Sequence, residues 1–257
     1  MARERLLVNA GEDTIHDNII RAETPAEKRK NWWYYHKGQL IALLLLAALV
    51  GSLLYSIFGK TKPDYTVAVM TSYTMPENGR QELERILEEY ADDRNGDGQV
   101  VVGVTCYVFS TTIPSTSDAL QQQQASVARF AGDILANESM IYIHNEEAFE
   151  FMKADFSGFF RYTDGSTMPA EATDFENVML PWDKFQALSG FVPVTSEDDA
   201  FNSEGLQQLY GELRISFRQA AGTSIEKNDK DMAYYQDSLA FYQRLLTGEK
   251  PVNEQIN

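Results

Sequence analysis

Residues 65–109 read YTVAVMTSYTMPENGRQELERILEEYADDRNGDGQVVVGVTCYVF. Tyr65–Thr71 opens this stretch with an apolar, β-branched run that suits a strand buried on both faces. Residues 77–91 then place Leu83, Ile86, Leu87 and Tyr90 at i, i+3, i+4 and i+7, the spacing of an amphipathic helix. Asp92–Gln99 is polar and glycine-containing, a turn, and Val100–Phe109 returns to a strand pattern. A strand, a helix and a second strand in this order predict parallel strands joined by a crossover.

The alternation continues downstream. Ser117–Asn137 predicts a helix with Leu120, Val127, Phe130 and Ile134 on one stripe and a solvated glutamine run at 121–124. Ser139–His144 (SMIYIH) is a third strand, and Asn145 is placed to cap a helix whose Phe149, Met152 and Phe156 face inward. The expected fold class is α/β: a doubly wound, mostly parallel sheet of order 2-1-3. Residues 158–206 are interrupted by Gly158, Gly165, Pro169, Pro181, Gly190 and Pro193. In Gly211–Arg218, Leu213, Ile215 and Phe217 alternate with Glu212, Arg214, Ser216 and Arg218, which predicts a half-exposed antiparallel edge strand. Asp229–Leu246 closes the domain as a helix with Met232, Tyr235, Leu239, Tyr242 and Leu246 inward.

Upstream, Leu40–Phe58 (LIALLLLAALVGSLLYSIF) holds no charge. At 1.5 Å per residue it reaches about 28 Å, close to the hydrocarbon thickness of a bilayer. The run starts forty residues into the chain and ends in Ser-Ile-Phe-Gly-Lys without a small-x-small cleavage site, so it reads as a single transmembrane helix in contact with lipid. Arg21, Lys28, Arg29, Lys30 and Lys37 precede the span, whereas only Lys60 and Lys62 follow it, which orients the N-terminus to the cytoplasm. Trp32-Trp33-Tyr34-Tyr35-His36 forms an aromatic cluster suited to headgroup depth. Thr24-Pro25-Ala26-Glu27 reads as a helix start, with Thr24 as N-cap and Glu27 closing a capping box. The expected organisation is a cytoplasmic tail and interfacial helix (1–36), a transmembrane helix (37–59), a linker (60–64) and an extracytoplasmic α/β domain (65–257), with residues 1–23 as a mobile tail.

Charge divides the chain in the same place. Residues 1–63 carry 9 Lys/Arg and 6 Asp/Glu, a net of +3, and residues 64–257 carry 13 Lys/Arg and 32 Asp/Glu, a net of −19. Such an outer domain repels nucleic acid, so that partner class is excluded. The single cysteine, Cys106, lies in an apolar run and is expected to be a small buried hydrophobe.

The strand at Tyr65–Thr71, the long helix after it, Asp93-Arg94-Asn95-Gly96-Asp97-Gly98 with its Val-rich strand, the Gln/Ala-rich helix and Ser139-Met140-Ile141-Tyr142-Ile143 together resemble the first lobe of extracellular solute-binding proteins, the periplasmic-binding-protein-like superfamily. Thr24-Pro25-Ala26-Glu27-Lys28 and Trp33-Tyr34-Tyr35-His36-Lys37 are similar to a group of uncharacterised membrane-anchored Gram-positive proteins. The resemblance implies a domain outside the membrane that captures a ligand at the carboxyl ends of its strands. That family closes two lobes on a ligand, and residues 64–257 suffice for one lobe and a little more.

Candidate binding residues follow. Ser72, Tyr73 and Thr74, after the first strand and ahead of a helix N-terminus, offer hydroxyls and an aromatic ring, which suits an anionic or polar group of a small polar solute. His144 and Asn145 end the third strand, where open α/β sheets present ligand-binding groups. His144 is expected to be exposed there and to have no catalytic role. The sequence has no G-x-S-x-G elbow, P-loop or H-E-x-x-H. Glu88-Glu89, Glu146-Glu147 and Asp198-Asp199 are expected to be solvated faces, and Trp182 to cover a core edge. Asp93-x-Asn95-x-Asp97-Gly98 has the alternating oxygens that open a calcium loop. Its twelfth position is Val104, so a Ca2+ site would rest on Asp93, Asn95, Asp97, the carbonyl of Gln99 and water. The sequence therefore predicts a non-catalytic, membrane-tethered binding module. An accessory subunit that contacts a membrane partner protein, or a cell-surface hydrolase using His144, are the alternatives.

Overall fold

A computed structural model of the chain describes residues 24–58, 62–112, 115–191 and 209–251. The chain divides into two compact units between Thr61 and Lys62. Among the described residues, one helix is long and apolar enough to cross a membrane. This helix, α1, runs Pro25–Phe58 without a break, and at 1.5 Å per residue it is about 51 Å long. Its start is the capping box read from the sequence. The Glu27 amide donates to Thr24 Oγ1 and the Thr24 amide donates back to Glu27 Oε2, each at 3.2 Å. Trp32 stacks on His36 one turn later.

The second unit is a mixed α/β domain. Among the described residues its elements are β1 (Tyr65–Thr71), α2 (Glu77–Glu88), β2 (Val102–Val108), α3 (Ser117–Ala136), β3 (Ser139–His144), α4 (Glu146–Met152), β4 (Met179–Pro181), β5 (Arg214–Phe217) and α5 (Asp229–Thr247), with short 3-10 turns between them. The five strands form one sheet in the order β2-β1-β3-β5-β4. β1 pairs in parallel with β2 and β3, and β5 pairs antiparallel with β3 and β4. The 2-1-3 core of the sheet is thus as expected.

Because side chains alternate across a strand, β1 supplies two cores. Val67 and Val69 join Leu83, Leu87, Ile215, Phe217 and Phe241 on the side of α2 and α5. Ala68 and Met70 join Phe109, Phe130, Tyr142, Phe149, Phe156 and Phe160 on the side of α3 and α4. The second core is built largely of rings in edge and tilted contact, such as Phe156–Phe160 at 4.8 Å between centroids. On α2, Gly79 leaves room for Tyr210, whose hydroxyl would stand 2.6 Å from an added Cβ.

Several expectations are corrected. β5 is not the edge strand, because β4 covers its outer side, and its supposedly polar face is buried too, at Ser216 and Arg218. On α3, Leu120 and Val127 are exposed, and the inward positions are Ser126, Phe130 and Asp133. The cause is polar: Ser126 Oγ accepts from the Val108 amide, and Asp133 accepts from Tyr107 and Ser139, so hydrogen bonds set the rotation of the helix. The innermost residues of α5 are Tyr235, Ser238, Phe241 and Leu245, with Met232, Leu239, Tyr242 and Leu246 only half-buried. Cys106 is half-buried against the first core, and burial pushes its thiol up to about 11. Asp64, assigned to the linker, is buried and belongs to the domain. Trp182 is buried in the first core, as expected. Residues 1–23 and the Asp198-Asp199 pair lie outside the described residues.

Candidate functional site

The carboxyl ends of β1 and β3 open onto a cavity of about 800 Å³, within the range that takes small organic ligands. Ser72, Tyr73, His144 and Asn145, four of the five candidate binding residues, line it together. Thr74 does not; its Oγ1 accepts from Gln122 Nε2 at 2.9 Å, tying the turn to α3.

Hydrogen bonds between strand ends form the rim. Asn145 caps α4 by accepting from the Ala148 amide at 3.0 Å, and its Nδ2 donates to Ser72 Oγ at 2.9 Å. The same asparagine therefore starts α4 and joins β3 to the β1 turn. Glu147, expected in a solvated face, instead accepts from Ser110 Oγ at 2.6 Å and from the Thr111 amide at 3.2 Å. The Ser110 hydroxyl, first among these donors, holds the Glu147 carboxyl below its ordinary range.

His144 forms the floor, and the structure overturns the expectation that it is exposed. It is fully buried, its ring 4.8 Å from Phe149, because β5 pairs beside it and the ring-rich core closes underneath. Nε2 lies 2.9 Å from Ser216 Oγ. Nδ1 lies near the Asn145 backbone but completes no hydrogen bond among the described residues. Burial, with Arg214 nearby, pushes the imidazole down to about 3, so it stays neutral at physiological pH. Ser216 is also wholly buried. An acyl substrate cannot reach its hydroxyl, and an imidazole this weakly basic is a poor general base near pH 7. The hydrolase arrangement requires both, so this pair reads as a structural tie between β3 and β5.

Sequence reasoning missed the far wall. Phe175, Glu176, Met179, Glu212 and Arg214 complete the lining with Glu146, Glu150 and Lys153 from α4 and its end. Arg214 reaches the site because it sits opposite His144 in the β3–β5 register. The strand alternation at 211–218 signalled a strand, but nothing in it named β3 as the partner.

The calcium-like loop lies at the opposite edge of the sheet, before β2. Asp93 Oδ1 accepts from the amides of Gly96 and Asp97, and Asp93 Oδ2 from that of Gly98. Asn95 Oδ1 accepts from the Asp97 amide, and Asp97 Oδ1 from the Gln99 amide. Gly96 and Gly98 adopt positive φ, as the tight turn requires. From beneath, Asp64 accepts from the amides of Arg94, Asn95 and Val101, each at 2.9 Å. No group of three or more His, Cys, Asp or Glu side chains suited to hold a metal ion occurs among the described residues. The backbone amides account for the loop's conformation.

The fold and cavity define an α/β domain with a polar and aromatic pocket at the carboxyl edge of its sheet. The chain matches no protein-family model, no curated protein and no solved structure.

Proposed function

We propose that this chain is a membrane-tethered binding module. The reading takes residues 1–36, with the first turns of α1, as the cytoplasmic tail and interfacial helix, and α1 from Lys37 onward as the anchor. The domain from Lys62 onward is then an extracytoplasmic, doubly wound lobe of the solute-binding-protein kind, which captures a small polar solute. The pocket beside Tyr73 carries this reading, because it joins hydroxyls, carboxylates and rings in one cavity at the end of the parallel strands. The buried His144–Ser216 pair weighs against the hydrolase alternative.

A thermal-shift screen of the full chain in nanodiscs tests it, against sugars, amino acids, short peptides and divalent ions. A true ligand must raise the melting temperature by mass action, and Ser72→Trp, which fills the mouth, must remove that rise. A screen in which no compound depends on Ser72 rejects the binding module. For topology, protease added to wall-free cells is expected to remove the C-terminal domain; protection of a C-terminal tag reverses the orientation.

A second reading, the accessory subunit, is favoured by one observation. The outer face of α3 exposes Leu120, Val127 and Leu135, the last at 82%. On this reading, Leu135→Glu abolishes co-assembly with a membrane partner and leaves the melting temperature unchanged; unaltered assembly rejects it.

A further inference from the structure

We infer that the carboxyl-edge pocket selects small ligands bearing an organic ammonium group. The inference rests on the binding-module reading and assigns its ligand class. Five carboxylates line the cavity, Glu146, Glu147, Glu150, Glu176 and Glu212, against two cations, Lys153 and Arg214. Of the cations, only Lys153 is paired with a carboxylate among the described residues. Lys153 Nζ bonds Glu150 at 2.6 Å, and Arg214 donates from one nitrogen to the backbone carbonyls of Glu212 and Leu213, each at 3.1 Å. An anionic ligand would thus meet a wall of net charge −3. A cationic ligand relieves that repulsion.

The pocket also shows how an ammonium sits in it. Lys153 Nζ lies over the ring of Phe175, 5.7 Å from its centroid, while pairing with Glu150. A ring face beside a carboxylate is a setting that stabilises a cation. Tyr73 and Phe149 supply further aromatic surface in the same cavity.

Titration calorimetry on the full chain in zwitterionic nanodiscs tests this with three four-carbon probes: 1,4-diaminobutane, 1,4-butanediol and succinate. They match in length and differ in charge. The diamine is expected to bind, and the diol and succinate to give no heat. Glu212→Gln and Glu176→Gln are each expected to weaken the diamine by roughly fivefold, as for a partly exposed charge pair. Glu249→Gln, exposed and outside the pocket, should change nothing.

Absence of diamine binding overturns the inference. Equal diamine binding to the Glu176/Glu212 double variant also overturns it, because the cation is then only condensing on an acidic surface. If succinate or the diol binds as tightly as the diamine and Ser72→Trp abolishes this, the binding module survives and its cation preference falls. The binding module itself fails only when no compound of any charge class depends on the pocket.

Discussion

The two edges of the parallel strands hold the same residue type in opposite circumstances. At the amino edge, Asp64 accepts three backbone amides, and the buried Asp133 accepts Tyr107 Oη, Ser139 Oγ and the Ser139 amide. At the carboxyl edge, Glu176 and Glu212 stand exposed around a cavity. A carboxylate whose oxygens are filled by the protein's own donors holds the fold together. One left facing an open cavity costs folding little and remains available to a ligand. Counting donors, rather than acidic residues, separates the two roles.

The largest effect expected from this contrast is at Asp64. Asp64→Ala strands three amides and should destabilise the domain by about 3 kcal/mol. For a domain of this size that lowers the melting temperature by roughly 6–12 °C. A loss below 1 kcal/mol in denaturant unfolding would show that the amino-edge bonds are not what holds that edge.

His144 is the exception at the carboxyl edge, being buried and bonded there. His144→Ala removes the Ser216 bond and leaves a cavity, a cost of about 2–3 kcal/mol. The pH dependence sharpens this. A folded-state value of about 3, below the ordinary 6.5, means the stabilisation is complete above pH 6.5 and is lost as pH falls toward 3. Between pH 7 and pH 5 the unmodified chain should lose about 2 kcal/mol that His144→Gln does not lose. Parallel curves for the two proteins would place the imidazole in contact with water.

At Glu176 and Glu212 the contrast predicts the reverse of Asp64. Neutralising both to Gln relieves repulsion around the cavity, so stability should stay within about 0.5 kcal/mol or rise. A clear fall in melting temperature would make them structural and erase the difference between the edges. The smallest effect is expected from calcium. Because loop amides already engage Asp93, Asn95 and Asp97, millimolar Ca2+ should produce no measurable rise in melting temperature. A rise that Asp97→Ala abolishes would turn an amino-edge turn into a metal site.

Sequence alone determined the parts fixed by neighbours along the chain. The Thr24–Glu27 capping box, the uninterrupted apolar helix, the Asn145 cap and β3 from Ser139 to His144 all follow from local spacing and apolar periodicity, and the 2-1-3 order follows from the rule for doubly wound sheets. That Ser72, Tyr73, His144 and Asn145 come together was legible because strand ends in such sheets converge at one edge. Only the tertiary structure decided the rest. Apolar periodicity says nothing of which strand β5 joins, so the burial of Ser216, the placing of Arg214 opposite His144 and the insulation of that imidazole were hidden. The rotation of α3 was hidden too, because long-range hydrogen bonds at Ser126 and Asp133 set it, and hydrophobic pattern does not encode the partners of a buried polar group.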